Sequence, residues 1–156
     1  METEPEMTRL FETIDTTLPV DETFAFVADF ANNEVWDPNT DTSVRIDDGP
    51  LGVGARYRLA VKMGGRLAPM EYRVTAWEPG RRVVLAGEGS NVRAVDDISF
   101  EPTATGTRVS YDADIRLTGW MRLVEPFAGG AFAKIAKGAA DGMQAALEAR
   151  AKAAGR

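Results

Sequence analysis

Proton chemistry in this chain has to be done by carboxylates, tyrosines and lysines, because its 156 residues include no histidine and no cysteine. Ser-His and Cys-His pairs, thiolate nucleophiles, disulfides and zinc sites of the usual ligand set are removed together. The four serines, Ser43, Ser90, Ser99 and Ser110, lack an activating imidazole, which sets serine hydrolysis aside. No metal and no cofactor is expected.

Two carboxylates stand out by spacing. Asp96 shares strand parity with Ile98 and Phe100, and Glu12 with Leu10 and Ile14, so both fall on faces expected to turn inward. A carboxyl desolvated there holds its proton more tightly and becomes a general base, which makes Asp96 the first catalytic candidate. Tyr72 and Tyr111 would donate to an enolate-like oxygen. The competing reading, favoured on sequence alone, has a bulge after Gly89-Ser90-Asn91 turning Asp96 to solvent, or an arginine pairing with it across strands. Asp96 and Asp97 are adjacent, so a strand sends them to opposite faces and not into a two-carboxylate site.

The elements that position these groups follow from periodicity. Leu10, Ile14 and Leu18 mark a first strand ending at Pro19. Asp21 can cap a helix bearing Val20, Phe24, Val27 and Ala28; a short turn then opens at Asp29-Phe30, runs toward Trp36 and stops at Asp37-Pro38-Asn39. From 41 to 117, turn signals at Asp48-Gly49-Pro50, Gly64-Gly65, Pro79-Gly80, Gly87 to Asn91 and Pro102 to Gly106 divide the chain into six strands. Tyr57, Leu59, Val61 and Met63 share one side, as do Met70, Tyr72, Val74 and Ala76. Val109, Tyr111, Ala113, Ile115 and Leu117 alternate with polar residues, the mark of a sheet with one wet face.

That sheet needs a cover, and Trp120 to Lys152 is the segment long enough to supply it. Leu123, Phe127, Ala131, Ile135, Ala139, Met143 and Ala146 form a helical stripe, with Pro126 in its first turn or kinking it. Gly138, Ala139 and Gly142 leave the stripe thin: either a gap stays beneath the sheet, or the helix lies closer to it. Gly129-Gly130 is a hinge at a pocket mouth or a helix irregularity.

Leu18 to Phe24, Ala28-Asp29-Phe30, Trp36-Asp37-Pro38, Gly52-Val53-Gly54, Val74 through Pro79-Gly80-Arg81 and Gly106 to Val109 together resemble the START-like, or SRPBCC, superfamily, in its polyketide cyclase/dehydrase branch. The resemblance covers roughly residues 8 to 152. It implies an α+β helix-grip fold: a seven-stranded curved antiparallel sheet around a long C-terminal helix, with two short helices after the first strand. It also implies a ligand cavity between sheet and helix. A nuclear-transport-factor-like cone would put its long helices before the sheet instead. Members range from lipid carriers to aromatic polyketide cyclases to co-chaperone modules, and fold alone does not choose among them.

From inward parity the expected ligand-binding residues are Tyr57, Leu59, Met63, Met70, Tyr72, Val74, Ile98, Phe100, Tyr111, Phe127, Ile135 and Met143, with Trp36 and Trp120 at the rim. Trp36, Trp77 and Trp120 all sit near turns, where such residues also serve as core plugs. Three functions are open: binding or transport of a hydrophobic small molecule (lipid, polyketide or aromatic), a metal-free polyketide cyclase or dehydrase using Asp and Tyr, or a protein-binding module with an exposed apolar patch and a filled interior.

The 44% apolar and 27% charged composition suits one ligand-binding domain spanning 1–156, with 1–7 and 153–156 expected to be flexible. A net charge of −6 argues against nucleic acid, and Arg81-Arg82 reads as a solvated turn flank. No run approaches the roughly 18 apolar residues of a membrane span, and the acidic start has no signal-peptide basic region. A cytoplasmic monomer or homodimer is expected.

Overall fold

The structure, a computed structural model, describes residues 8–155; of the loose ends expected at 1–7 and 153–156, residues 1–7 and 156 lie outside that range. Strand β1 (Thr8–Thr16) leads into helix α1 (Val20–Ala28), a 3-10 turn (Phe30–Asn32) and helix α2 (Asn33–Trp36). Strands β2 (Thr40–Arg45), β3 (Arg56–Met63), β4 (Arg66–Glu78), β5 (Arg82–Gly89), β6 (Val92–Pro102) and β7 (Thr107–Leu117) follow. Two further 3-10 turns, Gly119–Leu123 and Glu125–Phe127, precede helix α3 (Gly129–Ala153). The sheet is a curved antiparallel seven-stranded one in the order β1-β7-β6-β5-β4-β3-β2, the helix-grip arrangement.

Period-two alternation sets most of the register. Val92, Ala94, Ile98 and Phe100 of β6 and Val109, Tyr111, Ala113 and Leu117 of β7 are buried in alternation with more exposed neighbours. β6 pairs with β5 and β7 without a register shift, so the bulge expected after Gly89-Ser90-Asn91 is absent there. Gly87 to Gly89 belong to β5, and Asn91 is the one non-glycine residue among those described with a positive φ, at 63. One register shift lies in β2, between Thr40 and Thr42, and another in β4, between Val74 and Ala76. The second is the one that matters for the core. It flips parity, leaves Ala76 off the inward row, and brings Trp77 onto Phe24 at 5.0 Å between ring centroids.

Two helical expectations need correction. Asp21 lies in the first turn of α1, whose N-cap is Pro19, and makes no capping bond. The long helix begins at Gly129, not Trp120, and its buried residues are Phe132, Ala136, Ala139, Ala140, Met143, Leu147 and Ala151. That row is rotated from the expected stripe: Ile135 and Ala146 fall to its edge and Ala131 to solvent. A continuous 3.6-residue repeat counted from Leu123 cannot survive the 3-10 turns, which rotate the chain by a different angle per residue.

Helix α3 packs on β1 and on α2. A Cβ added at Gly142 would lie 2.1 Å from the Trp36 carbonyl oxygen, whereas one at Gly138 would meet nothing nearer than 3.6 Å. Gly142 is thus what lets the helix sit against Trp36, while Gly138 has ordinary room. Gly142→Ala should destabilise the fold by about 1–3 kcal/mol through overpacking, and Gly138→Ala should stabilise it by up to about 1 kcal/mol through helix propensity. Urea denaturation of the two variants checks this; equal effects would refute the contact.

Candidate functional site

Inward parity carries Asp96 to the middle of the concave face, where it is 5% exposed. The expectation of a solvent-facing Asp96, or of an arginine partner, does not hold. It is Asp97, on the outer face, that takes Arg82, at 2.9 and 2.7 Å. Asp96 Oδ2 instead accepts the Tyr111 hydroxyl at 2.7 Å, the one hydrogen bond to this carboxyl among the described residues. The two residues are diagonal across β6 and β7, because Asp96 pairs with Ala113 and Tyr111 with Ile98. Neighbouring inward positions thereby bring acid and phenol into contact.

Tyr72 enters from β4, opposite Gly87 of β5. A Cβ on Gly87 would lie 2.5 Å from the Tyr72 ring, so this glycine makes the space in which the ring lies flat on the sheet. The Tyr72 hydroxyl has no hydrogen-bond partner among the described residues.

Facing them is a second polar group, from the end of α2 and the start of β2. Asp37 Oδ1 accepts the Asn39 backbone N–H at 2.9 Å and its side-chain amide at 3.0 Å, and Asn39 Nδ2 also donates to the Ile135 carbonyl of α3 at 3.0 Å. Thr40 Oγ1 donates to Asn33 Oδ1 at 2.5 Å. Asn39 therefore ties the short helix to the long one.

Between the two groups lies a cavity of about 90 Å³. Leu10, Phe30, Leu59, Val61, Met63, Met70, Val92, Ala94, Ala113, Ile115, Phe132, Ile135, Ala136 and Ala139 supply its apolar wall; Asp96, Tyr111, Tyr72, Asn33, Asp37, Asn39 and Thr40 supply its polar groups. Asn39, Met63, Phe132 and Ile135 also border an outer groove that carries Lys62, Lys134, Lys137 and Asp141. These four residues are shared by cavity and groove, at the end of β3 and the first turns of α3.

Of the expected ligand-binding residues, the structure brings Leu59, Met63, Met70, Tyr72, Tyr111 and Ile135 to the cavity. Trp36, Tyr57, Val74, Ile98, Phe100 and Met143 are core, buried away from it. The Tyr57 hydroxyl donates to Asp29 Oδ1 at 3.2 Å, and Trp36 backs Tyr111 edge-on at 6.0 Å. Trp120 and Phe127 lie outside, 69% and 87% exposed, on the 3-10 segment. Glu12 stays half-buried opposite Tyr111 on β1 and does not line the cavity. Sequence reasoning misses Asn33, Asp37, Asn39 and Thr40, although Asp37-Pro38-Asn39 reads as a helix stop.

Burial is the main force on the ionisable groups. It pushes the Asp96 carboxyl from 3.8 up to about 7, with Asp37 adding to the rise and the Tyr111 hydrogen bond opposing it. Burial also raises Asp37, against the hydrogen bonds from Asn39. Tyr72 and Tyr111 are held well above the usual phenol value by burial first and then by Asp96, so both remain hydrogen-bond donors at neutral pH. Asp96 then sits where it can both hold and release a proton. Among the described residues no group of three acidic side chains could hold a metal ion, and no helix is long and apolar enough to cross a membrane.

A seven-stranded sheet wrapped on a terminal helix over an internal cavity defines a START-like protein. Residues 7–148 match the family described as polyketide cyclase/dehydrase and lipid transport, and the chain belongs to it. In structure it is similar to the Zhui aromatase/cyclase from Streptomyces sp. R1128, at 15% identity and TM-score 0.78 over 97% of each chain. It is also similar to a START superfamily protein from Mycobacterium smegmatis, at 18% identity and TM-score 0.70 over 95% of this chain and 99% of that one. The di-domain ARO/CYC StfQ from the steffimycin biosynthetic pathway matches at 12% identity and TM-score 0.71, over 94% of this chain and 52% of that one. At these identities the likeness is one of fold. No curated protein matches the sequence. Family and fold support hydrophobic ligand binding or polyketide cyclisation without deciding between them.

The Asp96 shift has a definite sign. A carboxyl whose native pKa lies above its unfolded value holds its proton more tightly in the native state, so stability falls as pH rises from about 4 to about 7 and is level beyond. Asp96→Asn removes the buried charge and should stabilise the protein near pH 8, by at most about 4 kcal/mol, with little effect near pH 4. Urea denaturation at the two pH values reads this; the same change at both would contradict it.

Proposed function

We propose that this protein binds a compact hydrophobic molecule between sheet and helix, with a ring-sized head in the cavity and any longer body leaving toward the outer groove beside Met63 and Phe132. The carrying observation is the cavity itself, apolar over most of its wall with hydrogen-bonding groups converging at two sides. Its 90 Å³ is below the roughly 300 Å³ of a drug-sized pocket and nearer the about 150 Å³ that holds one benzene. The enclosed portion therefore takes at most one ring, not a fused polycycle.

A second reading, proton transfer of the cyclase or dehydrase kind, is favoured by the Asp96–Tyr111 pair. A carrier of wholly apolar molecules gains nothing from a carboxyl that must be desolvated. Asp96 would take the proton from a carbon beside a carbonyl, and the enolate oxygen left behind would accept the free Tyr72 hydroxyl. Tyr111 orients the carboxylate.

Acetophenone, neutral and single-ringed, tests both readings. Its titration should shift the amide resonances of Ala113, Ala136 and Ala139, and in deuterated water the protein should speed deuterium entry into its methyl group. Asp96→Asn should keep the binding and lose at least about 100-fold of the exchange rate. Absence of cavity shifts would remove the binding reading. Binding with equal exchange by both proteins would leave a carrier.

A further inference from the structure

The charges around the cavity are one-sided. Asp37 and Asp96 both line it, from opposite walls, and none of the lining residues is a lysine or an arginine. Phe30, Tyr72, Tyr111 and Phe132 present rings to the same space. Three ammonium groups, on Lys62, Lys134 and Lys137, border the outer groove; Lys62 is the cation that acts on Asp37, and Lys137 is engaged with Asp141 at 3.5 Å.

Building on the binding reading above, we infer that the cavity excludes anions: it takes a ring-bearing molecule whose buried head is a protonated amine or a neutral hydrogen-bond donor, and it turns away carboxylates and phosphates. An anionic head in this space meets two carboxyl groups and no cation on the cavity wall, and it gives up its own hydration on entering. A donor head finds open acceptors, since Asp96 has Tyr111 alone as partner. A cation also gains the faces of the surrounding rings. An anionic group elsewhere on the same molecule is accommodated at the groove lysines, which orients a long ligand with its uncharged or cationic end inward. Free fatty carboxylates are therefore poor ligands, at least head first. The proton-transfer reading is compatible: when Asp96 takes a proton and an enolate forms, the charge in the cavity is unchanged.

Three ligands of one size test this against the full chain: benzylamine, benzyl alcohol and benzoate, each titrated near pH 8 while the amides of Ala113, Ala136 and Ala139 are followed by NMR. Benzoate should bind at least about 10-fold more weakly than benzyl alcohol, and benzylamine as tightly as the alcohol or more so. Asp37→Asn with Asp96→Asn should bring benzoate up to the alcohol and weaken the amine. Benzoate matching the alcohol in the wild-type protein would overturn anion exclusion while leaving the binding site in place. Failure of all three to shift those amides would overturn the binding site and the inference together.

Discussion

A carboxyl group taken out of water and given one hydroxyl in return is the constraint on which the site depends. Asp96 is inward because β6 keeps its register with β5 from Val92 to Ser99 and with β7 from Val92 to Pro102. One slipped residue would send Asp96 to solvent and Asp97 inward, and would turn Ile98 and Phe100 out of the core with it. The apolar residues that hold the register thus also impose the buried acid. The fold tolerates it because Tyr111 supplies a short hydrogen bond and the cavity leaves the remaining acceptor capacity unpacked.

The space itself comes from small residues on both layers. Ala136 and Ala139 thin the helix wall, Ala94 and Ala113 thin the sheet, and Gly87 lets Tyr72 lie down instead of filling the gap. The glycines that drew attention in the sequence serve other ends: Gly142 receives the Trp36 backbone, and Gly138 has no such contact. Small residues open a void only where the facing layer is small as well.

The fold was legible because alternation and turn residues state it locally: six strands, their hairpins and the terminal helix all follow from spacing. Asp96, Tyr72 and Tyr111 were legible by parity, though the cost of burying an acid weighed against taking parity at its word. Three features were hidden for physical reasons. The bulge between Val74 and Ala76 carries no glycine to announce it. The face of α3 depends on 3-10 turns, whose winding differs from that of the helix they precede. The Asn33-Asp37-Asn39-Thr40 group belongs to a short connection, where polar residues are ordinary; only Asn39's bond to the Ile135 carbonyl, 96 positions away, shows that it faces inward. The exposed Trp120, Leu123 and Phe127 follow from the same 3-10 segment, which leaves no core for an apolar stripe to meet.

The most direct test of this account is the titration of the Asp96 side chain, followed by carbon-detected NMR of its carboxyl. An inward Asp96 on the cavity wall requires a midpoint near 7. A midpoint near 4, that of an ordinary aspartate in water, would contradict it.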